Sequence, residues 1–171
     1  HFMLKEINEQ PKVVDATVMC HIDKKRDRVY FPSFNRIIDR RIKSINKVFV
    51  VSCGTAYHAG LVAKYMIEEY AKIPVEVNVS SEFRYSDPIL SEDDLVVLIT
   101  QSGETADTLA ALHEAQAKGA MTLAICNVVG STIARQADCV VYTHAGPEIG
   151  VASTKAYLAQ LTTLCMLAIY F

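Results

Sequence analysis

The sequence predicts an α/β fold, a three-layer sandwich in which helices cover both faces of a five-stranded parallel sheet. Three observations lead there. Five short apolar runs, "KVFVVSC" (47–53), "VEVNV" (75–79), "LVVLIT" (95–100), "MTLAIC" (121–126) and "CVVYT" (139–143), are strand-like, and most are too continuously apolar for a strand with one wet face. Segments of helical character separate them, the alternation expected of parallel strands joined by right-handed crossovers. Five strands also fit the order 2-1-3-4-5 better than the six of a full dinucleotide-binding sheet.

Taken in order, residues 2–20 read as helical, with Pro11 expected to open a second short helix after Glu9 and Gln10. Residues 21–32 are polar and read as irregular. A helix near 33–45 leads into the first strand, and "AYHAGLVAKYMIEEYAK" (56–72) forms the helix after it. The strand at 75–79 is followed by a loop around Ser86, Asp87 and Pro88. After the third strand, helix 104–118 stops at Gly119, a residue suited to the left-handed turn that ends helices. A short helix near 131–136 precedes the fifth strand. The loop "HAGPEIG" then gives way to a last helix from about Ser153.

Composition narrows the classes. With 171 residues, 51% apolar content and a net charge of −2, the chain can bury one core, and its charge leaves no nucleic-acid footprint. The densest basic run, "NRIIDRRIK" (35–43), reads as the solvated face of a helix carrying Ile37, Ile38 and Ile42. Five scattered cysteines without a Cys-x-x-Cys pair suit a reducing cytoplasm, and five singly spread histidines give no metal-ligand spacing, so no metal and no cofactor is expected. The run "AYLAQLTTLCMLAIYF" (156–171) is short for a membrane span and is interrupted by Gln160, Thr162 and Thr163. As a nearly uncharged helix it is expected to need cover from outside this domain, such as a second copy. The opening "HFMLKEINEQP" has no signal-peptide character. A start without Met and an apolar, uncapped ending predict a piece of a longer polypeptide.

The chemistry gathers in two loops. In a 2-1-3-4-5 sheet the first and third strands are neighbours, and ligands bind at their carboxyl ends. Those ends carry "SCGTAYHAG" (52–60) and "TQSGET" (100–105), both rich in glycine and small hydroxyls. Helix N-termini offer unpaired N–H groups to an anion, which Thr100, Gln101, Ser102 and Thr105 can supplement while Gly103 admits a close approach. A compact phosphate fits. "TQSGET" alone also fits a plain helix cap, with Ser102 as N-cap and Glu104 as first-turn acid, and the anion reading requires Glu104 and Asp107 to face elsewhere. Neither a G-x-G-x-x-G nor a G-x-x-x-x-G-K-[ST] pattern is present, which disfavours nucleotides. Cys53 reads as apolar filler, and His58 and His144 as structural histidines.

These stretches carry a resemblance. "CGTAYHAG", "QSGETADTL" and "GPEIGVASTKAY" together resemble the first sugar isomerase (SIS) domain, of flavodoxin-like strand order, in the glutamine–fructose-6-phosphate aminotransferase family. "HFMLKEINEQP" resembles the segment joining that family's glutaminase and isomerase halves. The resemblance implies a division into a helical linker segment (1–45) after a glutaminase domain and a first SIS domain (46–171), itself cut short. It implies fructose 6-phosphate or glucosamine 6-phosphate as ligand, held through Thr55, Ala56, Thr100, Gln101, Ser102, Gly103 and Thr105, with Val151 and Ser153 near the sugar. Ala56 stands where serine is common and keeps only its N–H; Thr100 replaces a usual serine and keeps the hydroxyl. The implied activity is formation of glucosamine 6-phosphate from fructose 6-phosphate and glutamine, in hexosamine biosynthesis. The family's catalytic groups lie outside this chain, so none of its residues is expected to be catalytic, Glu148 and Lys155 included. Implied partners are the second SIS domain, the glutaminase domain and a homodimer mate, with no nucleic acid and no membrane, in the cytoplasm. The alternative is an SIS-type sugar-phosphate sensing module of a regulator.

Overall fold

The computed structural model describes residues 1–171. In chain order the elements are helix α1 (Phe2–Cys20), strands β1 (Ile22–Asp23) and β2 (Arg28–Val29), helix α2 (Arg36–Ile42), β3 (Lys47–Ser52), α3 (Gly54–Tyr70), β4 (Val75–Val79), α4 (Ser80–Phe83), β5 (Asp94–Ile99), α5 (Ala106–Ala117), β6 (Met121–Cys126), α6 (Thr132–Gln136), β7 (Cys139–Tyr142) and α7 (Lys155–Tyr170). The β1–β2 pair is a small antiparallel hairpin. The other five strands form one sheet, all parallel, in the order β4-β3-β5-β6-β7. Counted within that sheet alone, this is the expected 2-1-3-4-5.

Period-two alternation distributes each strand between two cores. On one face Val48, Val50, Leu95, Val97, Leu123 and Ile125 meet α3 and α7; on the other Phe49, Val51, Val96, Leu98 and Ala124 meet α4, α5 and α6. β3, β5 and β6 are buried almost throughout, so their apolar runs have no polar phase. The helices facing them are fitted by small residues. α3 turns Ala59, Gly60 and Ala63 to the sheet, and a methyl on Gly60 would lie 2.8 Å from Val50 Cγ1 and 3.2 Å from Val77 Cγ1. Glycine is costly inside a helix by roughly 1 kcal/mol relative to alanine, and here it permits the close approach of α3 to β3 and β4.

Four sequence expectations change. Pro11 does not open a new helix, because α1 runs unbroken through it. Pro11 falls on the exposed side of the helix. Residues 21–32 contain the β1–β2 hairpin, paired Ile22 to Val29 and Asp23 to Arg28. The stretch after β4 begins with α4 and only then becomes loop. Finally, α7 is largely covered within the chain. Packed between α1, α3 and the sheet, it buries Ala156, Ala159, Thr163, Leu164, Met166 and Leu167, so much of the cover expected from outside comes from the chain itself, while Leu158, Leu161 and Cys165 stay half-buried and Ile169 exposed.

Candidate functional site

β3 and β5 lie side by side, and the helices that follow them leave on opposite faces of the sheet. The crevice between their carboxyl ends is therefore a topological switch point, where ligands of open α/β sheets bind. It holds a cavity of about 340 Å³. Thr55 and Ala56 line it from the first turn of α3. Thr100, Gln101, Ser102 and Thr105 line it from the β5–α5 loop, and Val151 and Ser153 from the loop before α7. Of the nine residues singled out from the sequence, Gly103 alone does not line it.

Main-chain donors stand beside the side chains of this cavity. α3 and α5 both begin without a side-chain cap, at Cys53 and Thr105. Their first-turn N–H groups therefore lack intrahelical partners and carry the positive end of each helix dipole. The N–H groups of Gln101, Ser102 and Thr105 likewise have no protein acceptor. Among the hydroxyls, Thr100 and Thr105 sit 3.3 Å apart, and Thr100 Oγ1 accepts the Gly103 N–H at 3.2 Å. No lysine or arginine lines the cavity. An anion there would be held by amides and hydroxyls alone.

Gly103 serves the loop from behind. Its φ is +70°, and a Cβ would sit 2.5 Å from Ser131 Cβ and 3.1 Å from Ile133 Cγ2, while its carbonyl accepts the Ile133 N–H at 3.1 Å. The glycine is required by this turn and by the packing of the β6–α6 connection against it.

The acids of this loop point away from the cavity, as the anion reading requires. Glu104 accepts the Thr132 N–H at 2.8 Å, a bond that holds its carboxyl below the usual range, and so caps α6 instead of α5. Asp107 lies 3.6 Å from the Arg84 guanidinium at the surface. Ser102 is not an N-cap of α5; its Oγ accepts the Glu104 N–H at 3.2 Å.

Glu148 does line the cavity, yet its carboxylate is fully engaged. It accepts from Ser153 Oγ at 3.0 Å and from the N–H groups of Thr154 and Ala156 at 2.8 and 3.2 Å, folding the last loop onto the start of α7. Lys155 is buried and donates to Glu9 Oε2 of α1 at 2.6 Å, away from the cavity. Neither is poised as a base or nucleophile. Sequence reasoning missed Thr108 and Gln160, which line the cavity from α5 and α7. Thr108 had a signal, since it follows Thr105 by three residues on one helix face. Gln160 had none, because α7 reaches the crevice only through the fold. Cys53 lines the cavity as a half-buried thiol; His58 is exposed outside it, and His144 stands 6.5 Å from His21, ring centre to ring centre. No group of three or more His, Cys, Asp or Glu side chains could hold a metal ion, and no helix is long and apolar enough to cross a membrane.

The molecule is thus a doubly wound α/β domain whose switch-point crevice is rich in hydroxyls and helix N-termini and is lined by no lysine or arginine. The sequence profile of the SIS domain matches residues 41–170, and the chain belongs to that family. It is 57% identical, over its whole length, to the glutamine–fructose-6-phosphate aminotransferase (isomerizing) of Clostridium tetani, and 55% identical over 98% of its length to that of Chlorobaculum tepidum. It spans 28% and 27% of those two proteins. Among solved structures, the C-terminal domain of glucosamine-fructose-6-phosphate aminotransferase from Francisella tularensis superposes with a TM-score of 0.92 at 41% identity, over 98% of this chain and 47% of that one. The sugar isomerase domain of an RpiR transcription factor from Sphaerobacter thermophilus shares the fold, with a TM-score of 0.68 at 19% identity over 97% of this chain and 88% of that one.

Proposed function

We propose that this chain is the sugar-phosphate-binding half of the isomerase part of a glucosamine-6-phosphate synthase, the isomerizing glutamine–fructose-6-phosphate aminotransferase. The cavity between the uncapped starts of α3 and α5 carries the reading: it offers a phosphate many donors and no opposing free carboxylate. The identity to aminotransferases over the whole chain favours the synthase over a regulator's sensing module. Fructose 6-phosphate or glucosamine 6-phosphate would seat its phosphate against Thr55, Ala56, Gln101, Ser102 and Thr105, and its sugar towards Val151 and Ser153. In this reading residues 1–45 are the linker from a glutaminase domain, and a second SIS domain completes the site in a cytoplasmic homodimer that feeds hexosamine biosynthesis. Val151, which makes no contact that shields it from solvent, and the exposed Ile149 leave apolar surface at the cavity mouth for such a partner.

The chain's own part in the reaction is to bind and orient. Hydroxyls and amides are poor bases at neutral pH, and moving a proton between adjacent sugar carbons needs a positioned base. Calorimetry tests the reading. Fructose 6-phosphate should bind where fructose does not, and the double substitution Ser102→Ala, Thr105→Val should weaken binding by about 1–3 kcal/mol. The 171-residue chain should form no glucosamine 6-phosphate from fructose 6-phosphate and ammonium. Equal affinity for the free and phosphorylated sugars would refute the phosphate site.

A further inference from the structure

α1 reaches the cavity loop through a carboxylate that has no cationic partner. Glu6 is 4% exposed and forms no ion pair; its Oε1 accepts the Ile149 N–H at 2.6 Å, and Gly150 N–H lies 3.2 Å from Oε1 and 3.1 Å from Oε2. A buried charge must be compensated by hydrogen bonds, so these two amides and this carboxylate depend on each other. The fit is close. A methyl on Gly150 would stand 2.5 Å from Glu6 Oε2 and 3.6 Å from Met3 Cα.

One turn along α1, Glu9 holds Lys155 at the far end of the same loop. Near the other end, Asn127 accepts the Ala145 N–H at 2.9 Å and donates to the Gly146 carbonyl at 2.7 Å. The loop is thus fastened before and after Val151 and Ala152, the short span without hydrogen bonds, and Val151 and Ser153 border the cavity. Glu148 is bonded only within the loop and the start of α7, so it sets the loop's shape. Its placement on the domain comes from α1 and Asn127.

We infer that Glu6 is a positioning residue for the sugar end of the cavity: through the Ile149 and Gly150 amides it sets where Val151 and Ser153 stand relative to the phosphate loops. The inference rests on the ligand reading proposed above and deepens it. The phosphate side is built from the β3–α3 and β5–α5 connections, which Glu6 does not touch. Losing Glu6 therefore uncouples the two ends of the ligand. By linkage, a sugar phosphate that fixes the loop also tightens the docking of α1.

The test uses Glu6→Gln, which keeps the side chain's size and one acceptor oxygen, alongside Glu6→Ala. Two probes are titrated into each variant and the unaltered chain, fructose 6-phosphate by calorimetry and inorganic phosphate by nuclear magnetic resonance. Amide hydrogen exchange is followed without ligand. The expected result is faster exchange at Ile149 and Gly150 with the sheet amides still protected, and fructose 6-phosphate binding about tenfold weaker in Glu6→Ala and less affected in Glu6→Gln. Phosphate affinity should be unchanged. Equal loss for both probes would mean that Glu6 merely supports the fold, and unchanged binding of fructose 6-phosphate despite faster loop exchange would show that loop position does not matter; either overturns the inference. If the unaltered chain binds neither probe while the exchange effect is present, the clamp exists but the sugar-phosphate reading fails, and the positioning role falls with it.

Discussion

Replacing Gly103 by alanine separates two costs that the structure assigns to one residue. The first is conformational: φ is +70°, a region where a side chain costs roughly 1–2 kcal/mol. The second is steric, because the new methyl would lie 2.5 Å from Ser131 Cβ and 3.1 Å from Ile133 Cγ2. The Ile133 N–H bonded to the Gly103 carbonyl keeps the two segments from parting, so overpacking of about 1–3 kcal/mol adds to the strain. Gly119 supplies the control, since its φ is +82° and nothing lies within 4 Å of its missing Cβ. Gly119→Ala should show the conformational cost alone. In urea unfolding with unchanged slope, Gly103→Ala should lose about 2–5 kcal/mol and Gly119→Ala about 1–2. Adding Ser131→Gly to Gly103→Ala should recover part of the difference. Equal losses at the two glycines would refute the packing argument.

Two further expectations concern titration and reactivity. His21 is buried against Phe31, and burial followed by the nearby His144 lowers its pKa from 6.5. The unfolded chain then binds a proton at a higher pH than the folded one, so His21's contribution is intact above about pH 6.5 and falls as pH drops below it; His21→Phe should flatten that part of a stability-versus-pH curve. Burial raises the thiol of Cys126 and pushes that of Cys139 up to about 12, so at pH 8 a thiol reagent followed by mass spectrometry should label Cys53 before either. Labelling of Cys139 in the folded protein at a rate similar to Cys53 would contradict that order.

The sheet was legible because burial on both faces writes an uninterrupted apolar run: β3, β5 and β6 end within a residue of where "KVFVVSC", "LVVLIT" and "MTLAIC" end. The β1–β2 hairpin was not, since two-residue strands carry no periodicity. Helix α7 misled for the opposite reason. Its composition reports how apolar its surroundings are, not which part of the protein supplies them, and here α1 and α3 do. At the site, small hydroxyls at strand ends announced themselves, whereas the direction of Glu104 depends on α6, almost thirty residues further on. Glu6 gave no sign at all, because in "FMLKEINEQ" it reads as one more surface acid on an amphipathic helix.

The bonds between α1 and the end of the chain span great distances along the sequence. Glu6 to Ile149 bridges 143 residues, Glu9 to Lys155 bridges 146, and the Thr17 hydroxyl donates at 2.8 Å to the Thr143 carbonyl, 126 residues away. During synthesis α1 leaves the ribosome well before the residues it packs against exist, and closing such loops is slow. Until α7 arrives Val13 has no apolar neighbour from that helix, and until Ile149 and Gly150 are made the carboxylate of Glu6 has none of its amide partners. Within this domain α1 is made before the other helices yet is among the last to dock, and in that interval it is open to proteases and chaperones.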